Sequence, residues 1–177
     1  KSKPDTLSAN EFVKAAGVAK NDADRKAIYE QMAKTHPADY RSFNNMGVMA
    51  LQAGDKAGAV AMFDKAKAAN ANAGEVLNNL AIIAAMDGDH KKAKDLFTQA
   101  GNAGIKADYN LGLCAIRMGD WNVANSKLAS EAGNFNKALA FVLVRNYSAA
   151  DKETENIENK DAAVYYLRAI IGARTEN

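Results

Sequence analysis

The dipeptide Gly-Asp occurs three times in this chain, each time between two segments whose apolar residues recur at helical spacing. The three turns are Gly54-Asp55, Gly88-Asp89 and Gly119-Asp120, and the second interval is slightly shorter than the first. A glycine can end a helix in a left-handed conformation, and the aspartate after it can cap the next helix. A period of about 34 residues with this layout predicts an array of stacked helical hairpins.

Composition places the chain in the globular class, since 48% of its 177 residues are apolar and 25% are charged. This length suits one domain with a sizeable core. The net charge is only +2, and no basic run is interleaved with aromatic residues, so a nucleic-acid partner is not expected. The apolar residues form short clusters, well below the roughly 18 consecutive residues that cross a bilayer. Because the first residue is Lys1, we expect a processed form or an excised segment of a longer protein.

Aligned on the turns, three segments share small, aromatic and asparagine residues at the same positions. The first has Phe43-Asn44-Asn45-Met46-Gly47 followed by Ala59, Phe63 and Ala66, the second has Leu77-Asn78-Asn79-Leu80-Ala81 followed by Ala93, Phe97 and Ala100, and the third has Tyr109-Asn110-Leu111-Gly112 followed by Ala124 and Leu128. This pattern resembles the tetratricopeptide-repeat family, which has a Leu-Gly pair on the first helix and Ala-x3-Phe-x2-Ala on the second. The resemblance implies an all-α fold, a right-handed superhelix of about five antiparallel helix pairs.

The resemblance covers nearly the whole chain and implies a single domain over residues 1–177. The clear repeats are 40–70, 74–103 and 106–131, and weaker pairs are expected at 8–36 and 134–173. In the last pair we expect a helix over 134–149, no Gly-Asp turn, and an enlarged loop at 151–159. The segment after it repeats the second-helix signature as Ala162-x3-Tyr166-x2-Ala169. Its apolar residues leave three roles open: capping the core, pairing with another subunit, or packing on a further domain.

In this family the first helix of each pair lines a concave groove, so the resemblance also implies a set of peptide-binding residues. These residues are Arg41, Asn44, Asn45 and Val48 in the first clear repeat, Asn78, Asn79 and Ile82 in the second, Lys106, Tyr109, Asn110, Leu113 and Arg117 in the third, and Phe141 and Arg145 in the last pair. Equivalent positions carry Gln52, Glu75, Met86, Asn134 and Lys137.

Asn45, Asn79 and Asn110 occupy the same repeat position and are expected to form a row along the groove. Because a carboxamide both donates and accepts, such a row either binds the backbone of an extended peptide or bridges adjacent helices. Both roles fit the sequence. An apolar row beside it would hold alternate peptide side chains: Val48, Ile82, Leu113 and Phe141.

The charges expected on the groove are mostly basic: Arg41, Lys106, Arg117, Lys137 and Arg145 against Glu75. A basic wall favours acidic segments or a free terminal carboxylate. Some tetratricopeptide domains hold a chaperone's terminal carboxylate with two lysines, two asparagines and an arginine. Only Asn79 and Lys106 match that set here, so we do not expect chaperone-tail binding.

The sequence offers no catalytic residues, cofactor site or metal site. His36 and His90 lie in different repeats without a paired nucleophile, and the single cysteine, Cys114, occupies a position that is apolar in the other repeats. No phosphate-binding glycine loop or zinc-spaced cluster occurs. We therefore predict a non-enzymatic module that binds an extended or helical polypeptide segment in its groove. The alternative is an architectural or assembly domain of a larger bacterial cell-envelope protein with no groove ligand, for which a periplasmic or envelope location is favoured over the cytoplasm.

Overall fold

The computed structural model describes residues 7–175, which form eleven helices and no strand within that range. The helices are α1 (Ala9–Gly17), α2 (Asp22–Thr35), α3 (Tyr40–Gln52), α4 (Lys56–Ala69), α5 (Gly74–Met86), α6 (His90–Asn102), α7 (Asp108–Met118), α8 (Trp121–Lys127), α9 (Phe135–Leu143), α10 (Tyr147–Glu155) and α11 (Ala162–Thr175). Consecutive helices pack as hairpins from α1–α2 to α9–α10, and α11 packs on α9 and α10. The predicted all-α helical-repeat fold is therefore confirmed. The two ends of the predicted domain, residues 1–6 and 176–177, lie outside the described residues.

The three Gly-Asp turns have the conformation that the sequence predicts. Gly54, Gly88 and Gly119 adopt φ angles of 80°, 81° and 80°, in the left-handed region. Asp55 then caps α4 by accepting a hydrogen bond of 2.8 Å from the Gly58 N–H, and Asp89 caps α6 in the same way through Lys92 at 3.0 Å. Asp120 makes no such side-chain bond to α8, so the first two turns show both predicted features and the third shows the left-handed glycine alone.

Alanines and one aromatic ring on the second helix form the centre of the first two clear repeats. Ala59, Phe63 and Ala66 of α4 are each 0% exposed. The matching residues of α6, which are Ala93, Phe97 and Ala100, are buried as well. Small side chains let the helix axes approach closely, while the ring fills the space between neighbouring hairpins.

The last hairpin differs from the sequence prediction. Instead of one helix over 134–149, the chain turns at Arg145, whose φ of 62° is also left-handed. Asn146 caps α10 by accepting a hydrogen bond of 3.2 Å from the Ala149 N–H. The predicted loop at 151–159 is therefore wrong through Glu155, because Arg145-Asn146 performs the role of a Gly-Asp turn and α10 is the second helix of this hairpin.

The terminal helix α11 is an eleventh helix that covers one side of the α9–α10 hairpin. Val164, Leu167 and Ile171 are buried against it, whereas Tyr165 and Tyr166 are 60% and 72% exposed. One face of α11 thus caps the core, and its opposite face is open. None of the helices within residues 7–175 has the length and apolar content needed to cross a bilayer.

Candidate functional site

Side-chain hydrogen bonds link two pairs of first helices, α3 to α5 and α7 to α9. We call the surface formed by α3, α5, α7 and α9 the odd-helix wall. Between α3 and α5, the Tyr40 hydroxyl donates to Glu75 Oε2 at 3.2 Å, which engages the acidic residue expected on the groove. Burial, followed by the charge of Glu75, raises the pKa of Tyr40. Between α7 and α9, Asn136 Nδ2 donates to the Tyr109 hydroxyl at 2.9 Å.

The asparagines at the α3–α5 contact bridge helices. Asn79 Nδ2 donates to Asn44 Oδ1 at 2.9 Å, and Asn44 Nδ2 donates to Asn45 Oδ1 at 3.5 Å. Asn44 is only 8% exposed, so its carboxamide serves the packing of the two helices. Asn78 lies half-buried beside Asn79 on the same helix. Of the two roles that the sequence leaves open, the bonds at this contact match the bridging one.

A fourth asparagine, Asn136, extends the row beyond the three that the repeat pattern predicts. Asn136 precedes the left-handed residue Arg145 by nine positions, as Asn45, Asn79 and Asn110 precede their turn glycines. Its bond to Tyr109 repeats the bond from Asn79 to Asn44, since in both pairs the donor belongs to the later helix. The capping residue Asn146 followed by Ala150 was the sequence signal that could have located this position.

The residues predicted on the groove from the last hairpin lie two positions after the true equivalents of the groove residues in the other repeats. The cause is the turn at Arg145-Asn146, which has no Gly-Asp dipeptide to mark it. Arg145 is exposed in the turn itself and lies outside α9. Phe141 packs against the cluster that α9 forms with α10 and α11. The basic residue Lys137 points into the hairpin, where its Nζ lies 3.4 Å from Glu153 Oε2 and the two side chains are 14% and 9% exposed. Asn134 caps α9. Counted from the turn, Leu139 is the equivalent of Leu113.

Five of the predicted groove residues meet at a single cavity of about 300 Å³ between α5, α6 and α7. They are Ile82 and Met86 from α5, and Asn110, Leu113 and Arg117 from α7. Phe97 and Cys114 supply buried parts of the lining, at 2% and 3% exposure. Burial raises the pKa of the Cys114 thiol, which disfavours the thiolate form that a nucleophile requires. His90 also lines this cavity.

Two of the predicted basic groove residues, Arg41 and Lys106, do not line this cavity. Arg41 forms an ion pair with Asp39, its Nη2 lying 2.6 Å from Oδ2, and this bonding holds the pKa of Asp39 below its usual range. Lys106 precedes the first residue of α7 and lines a separate cavity of about 410 Å³ with Lys94 of α6 and Lys127 of α8. Of the two residues that match the carboxylate clamp, Asn79 donates to Asn44, whereas Lys106 lines this second cavity.

The remaining predicted residue, Val48, is half-buried on α3 and packs against the cluster of Ala59, Phe63 and Ile83.

Within residues 7–175, no three histidine, cysteine, aspartate or glutamate side chains are grouped so that they could hold a metal ion. The odd-helix wall therefore offers apolar contacts, carboxamides and one arginine beside a cavity.

Comparison with solved structures identifies the fold. The chain superimposes on PilF of Pseudomonas aeruginosa with a TM-score of 0.80 and 16% identity, covering 98% of this chain and 87% of that one. YrrB, described as a TPR protein with an unusual peptide-binding site, gives a TM-score of 0.74 and 17% identity, covering 84% of each chain. PilW, described as a widely conserved type IV pilus biogenesis factor, gives a TM-score of 0.74 and 17% identity, covering 96% of this chain and 86% of that one. No protein-family model matches the sequence, and no curated protein does either.

Proposed function

Since the chain has the fold of tetratricopeptide-repeat proteins, we propose that it is a non-enzymatic interaction module that binds a polypeptide segment along the odd-helix wall. The segment is extended or helical. The observation that carries the proposal is the meeting of Ile82, Asn110 and Leu113, from two successive repeats, around an open cavity. Side chains that only fill a core are close-packed with their neighbours and leave no cavity open to solvent. An open apolar concavity with a few polar groups is the usual form of a binding site.

The wall would bind through three kinds of contact. Apolar residues along it would bury alternate side chains of the ligand, which supplies most of the free energy of binding. Carboxamides such as Asn45 and Asn110 would donate to and accept from its backbone. The remaining arginine, Arg117, would add a preference for acidic segments.

A matched pair of substitutions tests the use of the wall. Peptides that bind the wild-type protein would first be selected from a displayed random library. Val48→Lys then places a charge on the wall, and Val123→Lys places the same charge on α8, where Val123 is 40% exposed. The lysine stem covers apolar surface while its ammonium group reaches solvent, so both variants should fold. We expect Val48→Lys to weaken capture of the selected peptides about tenfold and Val123→Lys to leave it unchanged. Selected peptides that bind both variants equally well would overturn the proposal, and so would a library that yields no binder.

The compartment belongs to the same proposal. The abundance of asparagine and lysine is similar to that of tetratricopeptide segments of bacterial envelope proteins, and PilW is described as a pilus biogenesis factor. These similarities favour a periplasmic or envelope location over a cytoplasmic one. Fractionation of cells that express the complete gene with an epitope tag tests this, and a purely cytoplasmic signal would contradict it.

A further inference from the structure

The cavity between α5, α6 and α7 has an apolar interior and a charged edge. Ile82, Phe97 and Leu113 supply apolar surface, and Met86, which is 61% exposed, lies where the cavity opens to solvent. At about 300 Å³ it is at the lower end of the roughly 300–1,000 Å³ found for ligand pockets. This size suits one large apolar side chain better than a cofactor.

Arg117 gives the cavity a positive charge that its neighbours do not cancel. It lies in the last turn of α7 and is exposed. No ion pair among residues 7–175 involves it. The acidic residues of the adjoining turns are already engaged: Asp87 pairs with Lys56, Asp89 caps α6, and Asp120 lies 3.7 Å from Lys94 Nζ. An exposed guanidinium beside an apolar cavity is complementary to a carboxylate carried next to an apolar group.

We propose that this cavity is an anchor pocket for a polypeptide residue with a large apolar side chain and a carboxylate beside it. The apolar side chain fills the space between Ile82, Phe97 and Leu113, and the carboxylate pairs with Arg117. Asn110, on the same lining, offers a donor and an acceptor to the adjacent peptide group. The carboxylate is either the terminal one of the chain or that of a neighbouring acidic side chain. This inference rests on the proposed function and specifies the ligand chemistry at one point of the wall.

Small probes test the pocket directly by heteronuclear NMR of the 15N-labelled protein. N-acetyl-leucine carries the apolar group and a terminal carboxylate, N-acetyl-leucinamide carries only the apolar group, and acetate carries only the charge. An N-acetylated Leu-Glu dipeptide amide places the carboxylate on a side chain. We expect the two apolar acids to shift the backbone amides of Ile82, Leu113 and Arg117, and the tighter acid identifies the source of the carboxylate. The neutral amide should bind about tenfold more weakly, and acetate should not bind.

Two variants and one matched control assign the effect. Arg117→Gln should lower the affinity for the apolar acids about tenfold, to that of the neutral amide. Ala85→Leu should fill the cavity and abolish binding of every apolar probe, since Ala85 lines it. Arg174→Gln is the control, because Arg174 is also an exposed arginine in the last turn of a helix, and it should change nothing.

The results separate this inference from the proposed function. If neither apolar acid binds the wild-type protein more tightly than the neutral amide does, the inference is overturned, and the same holds if none of the four probes shifts the backbone amides at the cavity. If selected library peptides are nevertheless lost on Val48→Lys, the proposed function stands without the pocket. If those peptides bind Val48→Lys as well as they bind the wild type, the proposed function fails too.

Discussion

Phe63 lies against Gly47 so closely that a Cβ atom added to the glycine would be 2.6 Å from the ring Cε1. The third clear repeat has the same relationship, with Leu128 at 2.6 Å from a Cβ on Gly112. In both hairpins the residue on the second helix is 0% exposed, so it can yield to an added Cβ only by moving against other buried groups. We expect Gly47→Ala to destabilise the protein by about 1–3 kcal/mol, which chemical denaturation would measure.

A second helical glycine provides the control for this prediction. Gly172 lies inside α11, and a Cβ there would meet no atom within 4 Å. Gly172→Ala should therefore stabilise the protein by roughly 0.5–1 kcal/mol, because alanine has the higher helix propensity. Similar effects from the two substitutions would mean that the close contact at Gly47 has no energetic weight.

The bond between Asn79 and Asn44 should contribute to stability independently of any ligand. Removing the Asn79 carboxamide leaves the buried Asn44 oxygen without its donor at 2.9 Å. We expect Asn79→Ala to lower the free energy of unfolding by about 1–2 kcal/mol. A double-mutant cycle with Asn44→Ala measures the coupling. Additive effects in that cycle would contradict the bridge.

Some features of the fold and of the wall were predictable from local sequence, and others were not. The Gly-Asp turns were predictable because glycine favours the left-handed region and aspartate favours capping. Arginine has no such preference, so the turn at Arg145-Asn146 is not predictable from local sequence. The groove residues whose positions are counted from this turn are therefore misplaced. Asn44 looked like a ligand contact because sequence shows the repeat position but not the neighbouring helix that meets it.

The two misplaced lysines have different causes. Lys106 precedes α7 because the interval before the third Gly-Asp turn is shorter than the one before the second, which leaves this lysine in the connection. Lys137 of α9 pairs with Glu153 on the next helix. That contact depends on the turn at Arg145-Asn146, which brings α10 against α9. Without this turn, the sequence gives no reason to expect Lys137 and Glu153 to face each other.

The ion pair between Asp39 and Arg41 makes stability depend on pH in a defined direction. Because these bonds lower the pKa of Asp39 in the folded state, the folded protein binds the proton less readily than the unfolded chain. The stabilisation is present above the ordinary aspartate pKa of about 3.9 and is lost as pH falls through the folded value. We expect Asp39→Ala, which also removes the α3 cap, to destabilise by about 1 kcal/mol at neutral pH and by less at about pH 2. Urea unfolding across this range, with the exposed Asp64→Ala as control, would show it; a constant difference would argue against it.

The Lys137–Glu153 pair should be costly to break and inexpensive to replace. Glu153 is 9% exposed at its side chain, and its other oxygen accepts from the Asn134 N–H at 3.2 Å. Lys137→Met should destabilise by about 3 kcal/mol, because a buried carboxylate then loses its counter-charge. The double variant Lys137→Met/Glu153→Leu should regain most of that loss. Thermal unfolding of the three proteins tests this, and a mild effect of the single variant would mean that Glu153 reaches solvent.

Arg145 is the one residue other than glycine with a positive φ among those described, and it occupies the position of the turn glycines. A left-handed conformation disfavours residues with a Cβ by roughly 1–2 kcal/mol, whereas glycine adopts it freely. Because the Arg145 side chain is exposed, few contacts are lost on its removal. We therefore expect Arg145→Gly to stabilise the protein by about 1 kcal/mol. Lys152→Gly, at an exposed position within α10, should instead destabilise by about 1 kcal/mol. Destabilisation by both glycines would place Arg145 in ordinary helical backbone and would remove the basis for counting Asn136 as the fourth asparagine of the row.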